Sequence, residues 1–187
     1  CRISTDNGNS WGDEFFVANG QGGSTNAMTT GFGDAAIVAD RKKNRLLVMM
    51  VCGRTVCWNG RWTPEKSLTD DAVNRVARLY ATYDKAHKKW VWSQPEEVTN
   101  SIYNLFLDEN GNPTVSSLFI GSGKICQSRV VKKGRYYRLY CSMWTRDEGN
   151  RVIYSDDFGG SWQVLGKVTD RPAPYGDEPK IEELPDG

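Results

Sequence analysis

Ser155-Asp156-Asp157-Phe158-Gly159-Gly160-Ser161-Trp162, entered through the strand-like Arg151-Val152-Ile153-Tyr154, decides how the rest of the chain is read. Its skeleton is Ser-x-Asp-x-Gly-x-x-Trp on Ser155, Asp157, Gly159 and Trp162, and it recurs on Ser4, Asp6, Gly8 and Trp11. These residue types describe a β-hairpin whose tip is tied by its own side chains. Ser and Asp hydrogen-bond backbone groups two residues on, Gly supplies the positive φ of a tight turn, and Trp lays its apolar surface against the sheet. Both tryptophans, Trp11 and Trp162, are therefore expected to pack on their own hairpins.

A fainter copy lies between the two. Thr82 and Asp84 match, Ala86 replaces the Gly, and the Trp is displaced to Trp90 or Trp92. Thr82 lies 78 residues after Ser4, and Ser155 lies 73 after Thr82, a near-constant spacing that marks an internal repeat. Around these points the chain reads almost wholly as strands. Residues 1–3 enter the first tip and Glu14–Ala18 leave it; 19–33, rich in Gly, Ser, Thr and Asn, is a loop. The apolar runs Asp34–Asp40 and Leu46–Cys52 flank Lys42-Lys43-Asn44 as a hairpin, and their continuous apolarity predicts burial on both faces. An irregular segment with Trp58, Trp62 and Pro64 precedes a strand over Arg75–Tyr83, then another over Trp90–Val98.

After a connection over Asn100–Gly123 the pattern restarts with a hairpin, Lys124–Val131 and Arg135–Trp144. A two-residue turn at Lys133-Gly134 would set Cys126 opposite Cys141, open to a disulfide, and Arg129 unfavourably opposite Arg138. A longer turn dissolves both pairings. Pro179–Leu184 begins a further strand, and Pro185-Asp186-Gly187 signals a turn. Each period thus holds four strands with the tip between the third and fourth, and four-stranded sheets repeated radially make a β-propeller. The expected units are the end of one blade (1–18), two blades (34–98 and 124–168) and the start of another (178–187). Hairpins cut at such points leave pairing groups open, so the reading treats the chain as a piece of a longer polypeptide.

Bulk properties narrow the alternatives. With 24 basic and 23 acidic residues the formal charge is +1, which gives no case for nucleic acid from net charge. No apolar run approaches the ~20 residues of a membrane helix. Seven Trp and eight Tyr favour strands and also provide sugar-stacking surfaces. Cys52 and Cys57, with the single His87 remote from them, make a poor zinc set, so no metal is expected and the thiols read as buried and free. Only Arg2 and Ile3 separate Cys1 from the first tip, which leaves no linker for a lipidated terminus.

Two stretches carry chemistry. Gly33-Asp34-Ala35-Ala36 places an acid at the mouth of a buried strand, and Gly176-Asp177-Glu178-Pro179 places two at another strand mouth. In a propeller the first strand of each blade lines the central axis, so such acids converge on one end of the channel. A solvated turn residue is the plain alternative for any one of them.

The tips, Gly-Asp-Ala-Ala, Gly-Ser-Gly at Gly121–Gly123, and Gly-Asp-Glu-Pro follow one another in an order that resembles bacterial exo-α-sialidases, most of all those of Bacteroides-like gut bacteria. The resemblance covers almost the whole chain and implies a six-bladed Asp-box propeller. It implies that Asp34 binds the substrate on the sugar's O4 side and that Glu178 pairs with a nucleophilic Tyr, Asp177 being a rim residue. Sialic acid carries a carboxylate at its reacting carbon, so a phenol replaces the usual carboxylate nucleophile. That phenol, with its pKa near 10, needs a buried base beside it. Met143 and Trp144 would line the glycerol or acetamido pocket, unless they are core.

No Arg of this chain falls in the family's three carboxylate-gripping motifs; Arg2 leads straight into a tip and reads as structural. The acid/base Asp is expected before residue 1, and the second and third Arg and the Tyr after residue 187. The implied function is hydrolysis of terminal sialic acids from sialylated glycoconjugates by a retaining mechanism. It needs no cofactor, and the protein would be periplasmic, secreted or on the cell surface. This chain alone is expected to be inactive. Two rival readings are a non-catalytic carbohydrate-binding propeller and a trans-sialidase.

Overall fold

The computed structural model describes residues 1–20, 31–53, 62, 74–166 and 177–186. Trp58 and Pro64, Cys57, most of the 19–33 loop, Gly176 and Gly187 lie outside the described residues. Among the described residues, eleven strands make up two sheets. Strands β1 (Phe32–Ala39), β2 (Arg45–Cys52), β3 (Arg75–Asp84) and β4 (Lys89–Trp92) form an antiparallel meander, with β5 (Glu96–Glu97) also on β3. Between the sheets runs a helix, α1 (Thr99–Tyr103), then a 3-10 turn over Asn104–Phe106. The second sheet takes β6 (Leu118–Ile120), β8 (Cys126–Lys133), β9 (Tyr136–Thr145), β10 (Gly149–Ser155) and β11 (Gln163–Val164). β7 (Gly123–Lys124) leaves that sheet and pairs in parallel with β1, tying the two together. Two four-stranded antiparallel meanders side by side are propeller blades, as the repeat implies.

Why β2 reads as unbroken hydrophobicity is plain from its packing. Leu47 and Met49 enter the main core with Leu139, Ile153 and Phe158. Val48, Met50 and Cys52 pack on the other face with Ala77 and Leu79. β1 does not share this: Ala36 and Val38 are buried, but Asp34, Ala35 and Ile37 on its other face are exposed. Its continuous apolarity therefore overstated its burial among the described residues.

The second tip folds as its residues demand. Ser155 Oγ donates to Asp157 Oδ1 (2.7 Å) and accepts from the N–H of Gly159 (2.7 Å), while Asp157 accepts from Ser161 N (2.9 Å) and Ser161 Oγ (2.7 Å). Ser4, Asp6, Gly8 and Ser10 repeat the pattern bond for bond. The backbone repeats too, with φ of 63° and 83° at Phe158 and Gly159 and 60° and 88° at Asn7 and Gly8. Burial separates them. Trp162 is 8% exposed in the core and Trp11 is 61% exposed, so Trp11 does not pack as expected. Around the first tip, backbone bonds between Cys1 and Phe15 and from Gly12 to Ile3 hold the hairpin, without a strand ladder. In the faint copy Asp84 still caps the turn at Ala86 and His87, but the described bonds give Thr82 no serine-like role.

Three further expectations need correction. The β8–β9 turn falls at Gly134-Arg135, one residue later than proposed, and a register shift follows, so Cys126 faces Tyr140 rather than Cys141. Both cysteines are free and buried. The strand expected over Trp90–Val98 breaks at 93–95, where Pro95 has no N–H to give and Ser93 bonds Tyr80 with both backbone and side chain. Residues 179–184 form no strand and are tethered by side chains instead. The connection also holds α1, too short at five residues to show helical periodicity, with Ile102 and Tyr103 fully buried. No helix among the described residues is long and apolar enough to cross a membrane.

Candidate active site

Asp34 sits in a β-bulge of β1, between Gly33 and Ala36, with φ 49°. The bulge breaks the alternation of the strand at its mouth and leaves Asp34 exposed. Two residues on, Ala36 pairs with Gly123 of β7, which brings the Gly121–Gly123 turn alongside β1.

Gly121 has no room for a side chain. A Cβ there would lie 2.6 Å from Ser142 Oγ and closer still to the carbonyl oxygen of Pro179. Its N–H donates to Ser142 O (2.9 Å), and Ser142 Oγ donates to Pro179 O (2.7 Å). Lys180 Nζ reaches back to Ser122 O (2.9 Å). Gly121–Gly123 thus lies between Gly33–Ala36 on one side and Asp177–Lys180 on the other, although Gly121 comes 85 positions after Ala36 and Asp177 comes 54 after Gly123. Further along, Glu183 is buried at 8% exposure, takes the Ser128 hydroxyl and the Arg129 N–H (2.6 Å), and pins the segment. Burial works to raise the Glu183 pKa, but the bonds from Ser128 and Arg129 outweigh it and hold the carboxyl below its ordinary value.

Glu178 has φ 47°, and its N–H donates to Asp177 Oδ1 (2.9 Å). Both carboxylates are exposed here, so Glu178 is not the enclosed base that the resemblance implies. Five non-glycine residues among those described have positive φ; two are tip residues, one is Lys88 in a hairpin turn, and the other two are Asp34 and Glu178. Backbone in that region costs on the order of 1–3 kcal/mol and collects at functional sites.

Alternation along β9 puts Ser142 and Trp144 on one face and Met143 on the other. Met143 is fully buried in the core, which removes it from a pocket lining in this structure. Trp144 is half-buried and stacks on Phe119, ring centroids 5.2 Å apart. Ser142, Lys180 and Glu183, which hold the Glu178 segment, were not singled out from sequence; their partners lie 37, 58 and 55 residues away, and no local pattern announces them. A shallow cleft of about 230 Å³ between Gly31, Gly33, Val51, Cys52 and Asn74 adjoins the mouth of β1. No group of three or more metal-binding side chains occurs among the described residues.

No protein-family profile matches the chain, and no curated protein sequence does. Solved structures do. The intramolecular trans-sialidase from Ruminococcus gnavus, in complex with oseltamivir carboxylate, superposes with a TM-score of 0.61 at 13% identity, over 100% of this chain and 57% of that one. Trypanosoma rangeli sialidase with the inhibitor DANA gives 0.56 at 17% identity, over 87% of this chain and 24% of that one. The leech intramolecular trans-sialidase complexed with 2,7-anhydro-Neu5Ac gives 0.51 at 14% identity, over 88% of this chain and 38% of that one. The chain therefore spans less than two thirds of each of these proteins. The likeness establishes the fold: these blades are built as in sialidase β-propellers.

Proposed function

We propose that this chain is part of an exo-α-sialidase, with Asp34 a substrate-binding residue and Glu178 the base beside a nucleophilic tyrosine. The observation that carries the reading is the meeting of Gly33–Ala36, Gly121–Gly123 and Asp177–Lys180 at one end of the inner strands, with positive φ at both candidate carboxylates. In the proposed step the tyrosine gives its phenolic proton to Glu178 while its oxygen bonds to the anomeric carbon. The glycosidic oxygen leaves with a proton from an acid/base Asp, and water then releases the sialic acid with retained configuration. The Asp, the tyrosine and the arginines that grip the substrate carboxylate come, in this reading, from outside these 187 residues. Those parts must also cover Glu178. In this reading Trp144, on the same face as Ser142, borders the sugar, and Met143 supports from the core.

The substrates would be terminal sialic acids on glycoconjugates met in the periplasm or outside the cell, with no cofactor. A trans-sialidase on the same scaffold remains the second reading, because two of the neighbours described are intramolecular trans-sialidases. Steady-state kinetics on the intact protein with an activated aryl sialoside test the assignment. Glu178→Gln should lower kcat by about 10²–10⁴-fold, the usual worth of a general base, and affect binding less. Asp177→Asn should cost little. The reverse pattern moves the base by one residue, and full activity in both variants removes the site. Products distinguish hydrolysis from intramolecular transfer.

A further inference from the structure

At the end of β1 opposite Asp34, six residues and about 20 Å along the strand, three hairpin tips gather positive charge. The β1–β2 tip carries Arg41, Lys42 and Lys43, and the β3–β4 tip carries Lys85, Lys88 and Lys89. Lys132, Lys133 and Arg135 surround the β8–β9 tip. All nine are exposed, and among the described residues none forms an ion pair. The acids nearest them are already engaged: Asp40 with Arg45, Asp84 with His87, and Asp156 with Arg138. A chain with a formal charge of +1 thus segregates nine of its 24 basic residues on one face.

The tips are held together. Tyr83 N donates to Asn44 O (2.8 Å), joining the first two. Arg41 N donates to Gln127 Oε1 (2.9 Å), and its guanidinium bonds Ser128 O, joining the first to β8. Tyr136 and Tyr137 sit under the cations as spacers. Lys43 and Arg135 lie 5.0 and 4.9 Å from the Tyr136 centroid, and Arg41 and Lys132 lie 4.9 and 5.7 Å from that of Tyr137. A cleft of about 440 Å³ opens between Lys42, Lys43, Arg45, Tyr83 and Lys85, roomy enough for an anionic group. Holding like charges this close costs energy that a polyanion would relieve.

The geometry points to this face as a binding site for a sulfated polysaccharide, an extended chain whose repeated sulfate esters engage the three tips at once. Its position at the far end from Asp34 makes the proposal independent of the sialidase reading. Two competing polyanions fit worse. A bilayer is gripped by lysines together with inserted apolar side chains, and the tips 40–44, 85–88 and 132–135 offer none larger than Ala86. Single-stranded nucleic acid needs bare aromatic faces for its bases, but cations cover Tyr136 and Tyr137.

The test uses the intact protein in calorimetry against a heparin-type sulfated polysaccharide, the same backbone chemically desulfated, anionic phosphatidylserine vesicles, and duplex DNA. Two triple variants are compared, Lys42→Gln/Lys43→Gln/Lys85→Gln and Lys132→Gln/Lys133→Gln/Arg135→Gln. Arg2→Gln is the control that removes a cation outside the tips. Circular dichroism confirms that each variant is folded, and surface Lys→Gln changes away from packing are generally neutral in stability. The sulfated chain should bind and the desulfated one should not. Either triple variant should lose at least tenfold in affinity while Arg2→Gln binds as wild type. Raising salt from about 50 to about 200 mM should weaken binding at least tenfold, as counterion release requires for several charge contacts. Equal binding by the triple variants, binding of the desulfated chain, or tighter binding to vesicles or DNA than to the sulfated chain would overturn the proposal.

Discussion

Two tips with the same hydrogen bonds and different burial allow the contribution of each factor to be separated by experiment. Ser155 is 1% exposed and its Oγ holds the N–H of Gly159, itself buried. Ser155→Ala deletes that acceptor and leaves a buried donor without a partner, at about 1–3 kcal/mol. Ser4→Ala deletes the same bonds, including Gly8 N to Ser4 Oγ at 2.7 Å, but water can replace the serine at this exposed tip. Its cost should stay near the net value of a solvated hydrogen bond, about 0.5–1 kcal/mol. The tryptophans widen the contrast. Trp162→Ala removes a side chain that is 8% exposed, at about 3–5 kcal/mol. Trp11→Ala removes one that is 61% exposed; with less than half of ~250 Å² buried, at ~25 cal/mol per Å², the upper bound is about 2.5 kcal/mol. Urea unfolding of the chain, followed by far-UV circular dichroism so that the lost indole does not alter the probe, measures all four. If Ser4→Ala costs as much as Ser155→Ala, or Trp11→Ala as much as Trp162→Ala, burial does not govern the stability of these tips.

Acid should destabilise the chain through its depressed carboxylates. Bonds from Ser10 and Ser4 bring the Asp6 pKa to about 2, and those from Ser128 and Arg129 hold Glu183 low against its burial. Their contributions are present above the ordinary carboxylate range and are lost as pH falls through the folded values, so urea midpoints should drop from about pH 4.5 downward; Glu183→Gln should flatten that slope. Burial pushes the Cys52 and Cys141 thiols up to about 12, so iodoacetamide at neutral pH should label exposed Cys1 in the native chain and spare those two until urea is added, as peptide mass spectrometry would show. Gly121→Ala should displace the Pro179 backbone; in the intact protein kcat should fall as Glu178 moves, with unfolding free energy falling by about 1–3 kcal/mol as in other overpacked sites.

Legibility from sequence followed locality. The bonds of the tips span two to four residues, so Ser155, Asp157 and Gly159 declare their own geometry before any fold is known. β2 and β3 were equally plain, because their apolar runs answer to burial that the meander itself creates. What surrounds a tip is written in only one of its residues. Between the Asp and the Gly stands Asn7 at the tip facing water and Phe158 at the buried one, where a Cβ on Gly159 would strike Leu47 from a neighbouring sheet. Pro179–Leu184 misled for the same reason: its residues suit a strand, but Ser142, Lys180 and Glu183 engage side-chain bonds that replace a ladder. The balanced net charge hid the three cationic tips, since a sum carries no positions.

The candidate site joins both kinds of information. Asp34 and Glu178 are each placed by a local backbone feature, a bulge and a left-handed residue. Their relation to each other is not local at all. It runs from β1 through β7 to Gly121, then through Ser142 to Pro179, and it depends on a glycine whose only sequence signal is its place in Gly-Ser-Gly. A Cβ at Gly121 would break that chain of contacts without touching either carboxylate. Loss of function there would therefore report on the spacing between Asp34 and Glu178 rather than on the chemistry of either. Comparing Gly121→Ala with Glu178→Gln separates the two: the first should disturb both KM and kcat, the second chiefly kcat.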